Sequence, residues 1–90
     1  MKRVEGIKKD INSAQEKISS ILKEEDFSAY YQVQENLNKS INLIKSNNFK
    51  EAEKYLLFSI RLLMEAPPKN ESLGLETLHI IDKAYKELSI

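Results

Sequence analysis

Apolar residues recur along this chain at helical spacing in four separate runs. In the first, Val4, Ile7, Ile11, Ala14, Ile18 and Ile21 alternate steps of three and four. That is a seam one stripe wide, with Lys, Glu, Asn and Gln elsewhere, and it predicts a helix over about residues 2 to 23. Three heptads of so narrow a seam are marginal alone. Packing along one edge of an intramolecular bundle is therefore its commoner use, with an intermolecular coiled coil as the alternative.

Lys23-Glu24-Glu25-Asp26 breaks the pattern, and Asp26 or Ser28 is placed to accept from free backbone N–H groups as the N-cap of a second helix. That helix is expected over about Phe27 to Ser46, with Phe27, Tyr30, Val33, Leu37, Ile41 and Ile44 as its inward stripe. Tyr31 lies about 100° from Tyr30, so only one of the two rings can be central to the core. A boundary position with its hydroxyl in water is the plain reading of the other. Asn47-Asn48 supplies a turn, and Asn48 followed by Glu51 has the spacing of a capping box.

The third helix begins there and must end by Ala66, because Pro67 disfavours helical geometry in the residue before it and Pro68 does the same to Pro67. Lys69-Asn70 completes a short stiff link. A fourth helix is expected from Glu71 or Ser72 to Leu88, with Asn70 as cap and Leu73, Thr77, Ile80, Ile81, Ala84 and Leu88 as its core stripe. Gly74 falls in its first turn, where it costs up to about 1 kcal/mol relative to Ala. A close helix crossing or a frayed start would account for it.

The third run is the richest. With Leu56 as reference, Phe49, Ala52, Ser59, Ile60 and Leu63 fall within about 60° on one face. A second row, Tyr55, Phe58 and Leu62, runs along the other side and sets Phe58 among Lys54, Arg61 and Glu65. A helix apolar over so much of its circumference either lies under its neighbours, with helix one or four covering Phe58, or carries a face for something outside the chain. Short links make consecutive helices antiparallel neighbours, so the expected architecture is all-α: one domain over residues 1–90, an up-down-up-down four-helix bundle. Residues 36 to 66 also resemble a single tetratricopeptide unit, with Ser46-Asn47-Asn48-Phe49-Lys50-Glu51-Ala52 in the order of that motif's middle and Ser59 seven residues after Ala52. One unit cannot form an array, so a generic helical hairpin is the simpler description.

Composition narrows the function more than the fold. Fourteen basic and fourteen acidic residues cancel, and no run of like charge forms a nucleic-acid-binding stripe. Cysteine is absent, which excludes disulfides and thiolate metal ligands. Met1-Lys2-Arg3 imitates the start of a signal peptide, but Glu5, Lys8, Lys9 and Asp10 interrupt the apolar region that would have to follow, and no run approaches a membrane span. A cytoplasmic location is expected. His79, the one histidine, lacks the companions of a zinc site and reads as a boundary side chain. No phosphate loop, nucleophile elbow or di-iron ExxH spacing occurs, so neither catalysis nor a cofactor is expected.

From about Asp26 to Tyr85 the order of features resembles the small helical immunity proteins of type VI secretion systems that neutralise NAD(P)+ glycohydrolase effector toxins. The likeness rests on the aromatic-rich entry DFSAYYQVQENLNKSINLI, a turn, a helix with Ala52, Leu56 and Ser59-Ile60, a proline-bearing link, and a last helix with Leu78 and Ala84-Tyr85. The chain departs from that pattern at Phe58, where a small residue is usual, and at Pro67-Pro68, which no acidic residue directly precedes. The resemblance implies a non-enzymatic inhibitor that docks on a toxin domain and blocks its NAD-binding cleft. From the helical geometry of this chain, and not from the family, the expected anchors are Tyr55, Phe58, Leu62 and Tyr31, ringed by Lys54, Arg61 and Glu65. The expected partners are a cognate protein toxin and, weakly, a second copy of the chain, with no nucleic acid and no membrane; the competing class is a self-associating or adaptor module.

Overall fold

The computed structural model describes residues 4–90, so the expected helix start at residue 2 and the basic Met1-Lys2-Arg3 lie outside the described residues. Four helices follow one another: α1 (Val4–Glu24), α2 (Ser28–Lys45), α3 (Phe49–Glu65) and α4 (Glu71–Ser89). Each packs on the next and α4 closes the ring against α1, which leaves α1/α3 and α2/α4 as the diagonals. This is the antiparallel up-down-up-down bundle, 37 Å long and 20 × 19 Å across. The narrow seam of α1 is spent inside the chain: Ile7, Ile11, Ala14, Ile18 and Ile21 are all buried, with Val4 half-buried at its open end.

The core is the sum of one stripe from each helix. Tyr30, Val33, Leu37, Ile41 and Ile44 meet Ala52, Leu56, Ile60 and Leu63 from α3 and Ile81, Ala84 and Leu88 from α4. Leu73, Ile80 and Phe49, expected fully inside, are only half-buried. Four polar residues also lie inside, and each hydrogen-bonds close by along its own helix. The Ser40, Ser59 and Thr77 hydroxyls donate to Leu37, Tyr55 and Leu73 carbonyls at 2.7, 3.0 and 2.7 Å, and Asn36 accepts from Gln32 at 3.0 Å. A hydroxyl that bonds back along its own helix enters a core without an orphaned donor.

The two ends of the hairpins are closed by different means. At the end of α2, Asn47 adopts φ 61°. The Asn48 N–H then donates to Leu43 O at 2.8 Å and Asn47 N–H to Ile44 O at 3.0 Å, a Schellman closure with Asn in the left-handed position. The expected capping box is not formed. Asn48 does occupy the N-cap of α3, but its side chain accepts no cap bond, and the Glu51 carboxylate turns to Lys54 at 3.0 Å.

At the opposite end, α3 stops at Glu65 and Ala66 takes φ −131°, ψ 72°, outside the helical region that a following proline disfavours. Pro67 and Pro68 have no N–H with which to close the helix. The hydroxyl of Tyr30 reaches across instead and donates to Ala66 O at 2.8 Å, while Glu25 Oε2 accepts from the Lys69 N–H at 2.6 Å. Tyr30 is thus the core tyrosine and Tyr31 the outer one.

Phe27 is a correction to its expected place in the inward stripe. It is the N-cap residue, with φ −116° and ψ 133°, it lies outside the helix, and it is 46% exposed, edge-on to Tyr30 at 5.4 Å. Neither Asp26 nor Ser28 caps α2: no side-chain cap bond forms there. Asn70 does cap α4, its Oδ1 accepting from Leu73 N–H at 3.2 Å. Gly74 is explained by the link and not by a helix crossing. A Cβ there would stand 2.9 Å from Pro68 Cδ and 3.1 Å from Cγ, and Pro68 is itself buried.

Two outcomes follow from these closures. Gly74→Ala, which in an open helix would gain up to about 1 kcal/mol, should here lower stability by about 1–3 kcal/mol through overpacking against a ring that cannot rotate away. In a Pro68→Ala background the same substitution should lose most of that penalty, as a denaturation double-mutant cycle will show. The second concerns Tyr30, whose pKa is raised by burial and then by the charge of Glu25. A phenol with a raised folded-state pKa contributes stability fully present below its ordinary value near 10 and lost as pH climbs through the folded value. Tyr30→Phe should therefore cost about 1 kcal/mol at neutral pH and reduce the alkaline loss of stability seen in melts between about pH 9 and 12.

Candidate protein-binding site

The outer face of the α2–α3 hairpin carries an open groove. Its α3 wall is Tyr55, Phe58, Arg61, Leu62 and Glu65, and its α2 wall is Gln32, Asn36 and Lys39. On α3 the spacing that made Leu56, Ser59, Ile60 and Leu63 inward forces Phe58 outward, because it lies about 160° around the helix from Leu56. Phe58 is 46% exposed, and neither α1 nor α4 covers it. The Tyr55 ring meets it edge-on at 6.2 Å and 89°, so the two aromatics hold each other in place on the surface. Lys39 approaches the other face of this arrangement, its Nζ 5.5 Å from the Tyr55 centroid and 3.5 Å from Glu35.

The charged residues around the ring are unequally committed. Lys54 pairs with Glu51 at 3.0 Å, an exposed pair worth a few tenths of a kcal/mol. Arg61 and Glu65, four residues apart, make no ion pair with each other or with any other described residue. A guanidinium and a carboxylate beside an exposed Phe give the groove an apolar floor with fixed charge of both signs at its rim, the distribution typical of an interface anchor and its surroundings.

Six of the seven sequence-predicted residues lie on this one stretch of α3, and Tyr31 does not join them. It is 52% exposed in the α1–α2 groove with Gln15, Gln34, Glu35 and Asn38, on the far side of α2. Its hydroxyl bonds to the Asp26 carboxylate, and that hydrogen bond, followed by the carboxylate's charge, raises its pKa. The α2 wall was missed by sequence reasoning. Its signal was the i, i+4, i+7 row Gln32, Asn36, Lys39, polar enough to pass for a solvated face. Also missed were Leu57, half-buried, and Met64, 65% exposed, which extend the apolar surface along α3.

Elsewhere the surface offers little chemistry. His79 is exposed beside Lys17, Leu75, Glu76 and Ile80 in the α1–α4 groove. Among the described residues no three His, Asp or Glu side chains gather as a metal site, and no helix is long and apolar enough to cross a membrane. No family model, curated protein or solved structure matches the chain.

Proposed function

We propose that this bundle is a protein-binding inhibitor that works by covering a partner's surface with the outer face of α3. The observation that carries the reading is Phe58: a large aromatic, 46% exposed, braced by Tyr55 and flanked by Leu62 on a helix whose other face is fully used in the core. Burial of such a ring in a partner contributes roughly 1.5–3 kcal/mol, and the helix bears it on a rigid element already paid for by the bundle. The partner follows from the resemblance of Asp26 to Tyr85 to type VI immunity proteins: a cognate toxin domain of the NAD(P)+ glycohydrolase class, held with its NAD-binding cleft blocked. No side chain of the inhibitor need react. Arg61 and Glu65 would set encounter rate and register, and Tyr55, Phe58 and Leu62 the residence time.

The test pairs the purified chain with the toxin domain encoded in the neighbouring reading frame and follows NAD+ hydrolysis. The wild-type chain should abolish hydrolysis at stoichiometric ratio. Phe58→Asp should restore it while shifting folding stability by no more than about 0.5 kcal/mol, the range for surface substitutions. Full inhibition by the variant would remove the α3 face from the interface. Hydrolysis unaffected by the wild-type chain would sink the toxin assignment.

A further inference from the structure

The outer stripe of α3 is complementary to itself. Lys54, Phe58, Arg61 and Glu65 follow one another at steps of four, three and four. At 100° per residue they occupy about 60° of arc, a straight line along the exposed side of the helix. All four are exposed. When two copies of such a stripe are laid antiparallel about a two-fold axis passing between Phe58 and Arg61, Lys54 of each copy comes opposite Glu65 of the other. Phe58 comes opposite Arg61. On the flanks the same register brings Tyr55 and the half-buried Leu62 of one copy beside Leu62 and Tyr55 of the other, and the half-buried Leu57 and exposed Met64 beside Met64 and Leu57. Every pair occurs twice, as a closed isologous interface requires.

We propose that the free protein self-associates through this face as an antiparallel α3–α3 dimer. The pairing answers each feature left open in the monomer. Arg61, without an ion pair among the described residues, gains an aromatic face, and a guanidinium over a ring is a favourable contact. Glu65, likewise unpaired, gains an ammonium. Lys54 gives up only the short-range surface pair with Glu51. The apolar flanks Leu57, Met64, Tyr55 and Leu62 leave water together, and a face that would otherwise attract any hydrophobic surface is held in a form with defined register. Displacement by one residue would set Lys54 opposite Met64 or Pro-adjacent Ala66 and dissolve both ion pairs, so the charges select the pairing.

One helix pair is a small interface, below the roughly 800 Å² per partner of standard stable complexes. The dimer is accordingly weak and salt-sensitive, with dissociation expected in the range of about 10 µM to 1 mM at low ionic strength. The inference shares with the proposed function the premise that the α3 face binds protein, and it does not depend on what the partner is.

Sedimentation equilibrium on the purified chain alone, from about 10 µM to 1 mM, tests it without any toxin present. The wild-type chain should show a reversible monomer–dimer equilibrium. Lys54→Glu, which sets two glutamates against each other twice, should weaken the dimer by about tenfold or more, and Glu65→Lys should do the same by opposing lysine to lysine. The combined Lys54→Glu, Glu65→Lys chain restores opposite charges across the axis and should recover most of the loss, with thermal melts confirming that all three remain folded. A wild-type chain that is monomeric throughout the range overturns the proposal. So does a dimer that the single reversals leave intact, or one that the double reversal fails to rescue. A failure of the toxin assay with this rescue intact would leave the dimer standing.

Discussion

The constraint on which this bundle depends is that α3 ends in two consecutive residues without an N–H. A helix leaves its last carbonyls unpaired, and the usual remedy is donation from the backbone just beyond. α2 takes that remedy, with Asn47 in the left-handed region and two bonds back to Leu43 and Ile44. α3 cannot, because Pro67 and Pro68 follow Ala66. The Tyr30 hydroxyl, from α2, donates to one of the carbonyls at that end, Ala66 O, and Glu25 takes the first free N–H after the prolines, that of Lys69. Two loops far apart in sequence are thereby tied at one end of the bundle.

Much else is set by that tie. With Tyr30 drawn inward, the helical step puts Tyr31 outside, where it finds Asp26. With Pro68 buried against the first turn of α4, residue 74 has room for hydrogen only. Because both ends of α3 are fixed, its rotation is fixed as well, and Leu56, Ser59 and Leu63 inside mean Phe58 outside. The exposed aromatic is the geometric remainder of a core that uses the opposite face completely.

The parts legible in the sequence were those governed by period and by covalent chemistry. The steps of three and four in α1, the stop before Pro67 and the Asn70 cap each follow from local geometry that no tertiary contact overrides. What could not be read depended on contacts across the chain. The period already set Tyr30 inward and Tyr31 at the boundary, but the bond that the Tyr30 hydroxyl makes to the Ala66 carbonyl could not be read from it. Asn48 and Glu51 have the spacing of a capping box, yet Lys54 offers the carboxylate a competing partner on the same helix. Asn36 and Ser40 fall outside the apolar stripe read from the sequence, and both are buried with a hydrogen bond along their own helix. The candidate site divides in the same way: its α3 wall is a matter of angle on one helix, while its α2 wall depends on how two helices lean together.

The two uses proposed for the α3 face, a partner and a second copy, raise the question of whether one would defeat the other. Mass action answers it. A chain present well below its dimer dissociation constant is mostly monomer, and even at that constant half of it is, which lowers the apparent affinity for a partner only about twofold. Against a partner held in the nanomolar range, about 12 kcal/mol, this is a correction of less than 0.5 kcal/mol. Weakness is therefore what makes the two uses compatible. A tight dimer would have to be dissociated by the partner's binding energy, whereas a loose one shields Phe58 and Met64 where the chain is crowded and yields them at little cost. The charges of α3 suit that balance: Lys54, Arg61 and Glu65 are exposed, so their attraction sets register and encounter while water and salt keep its strength small.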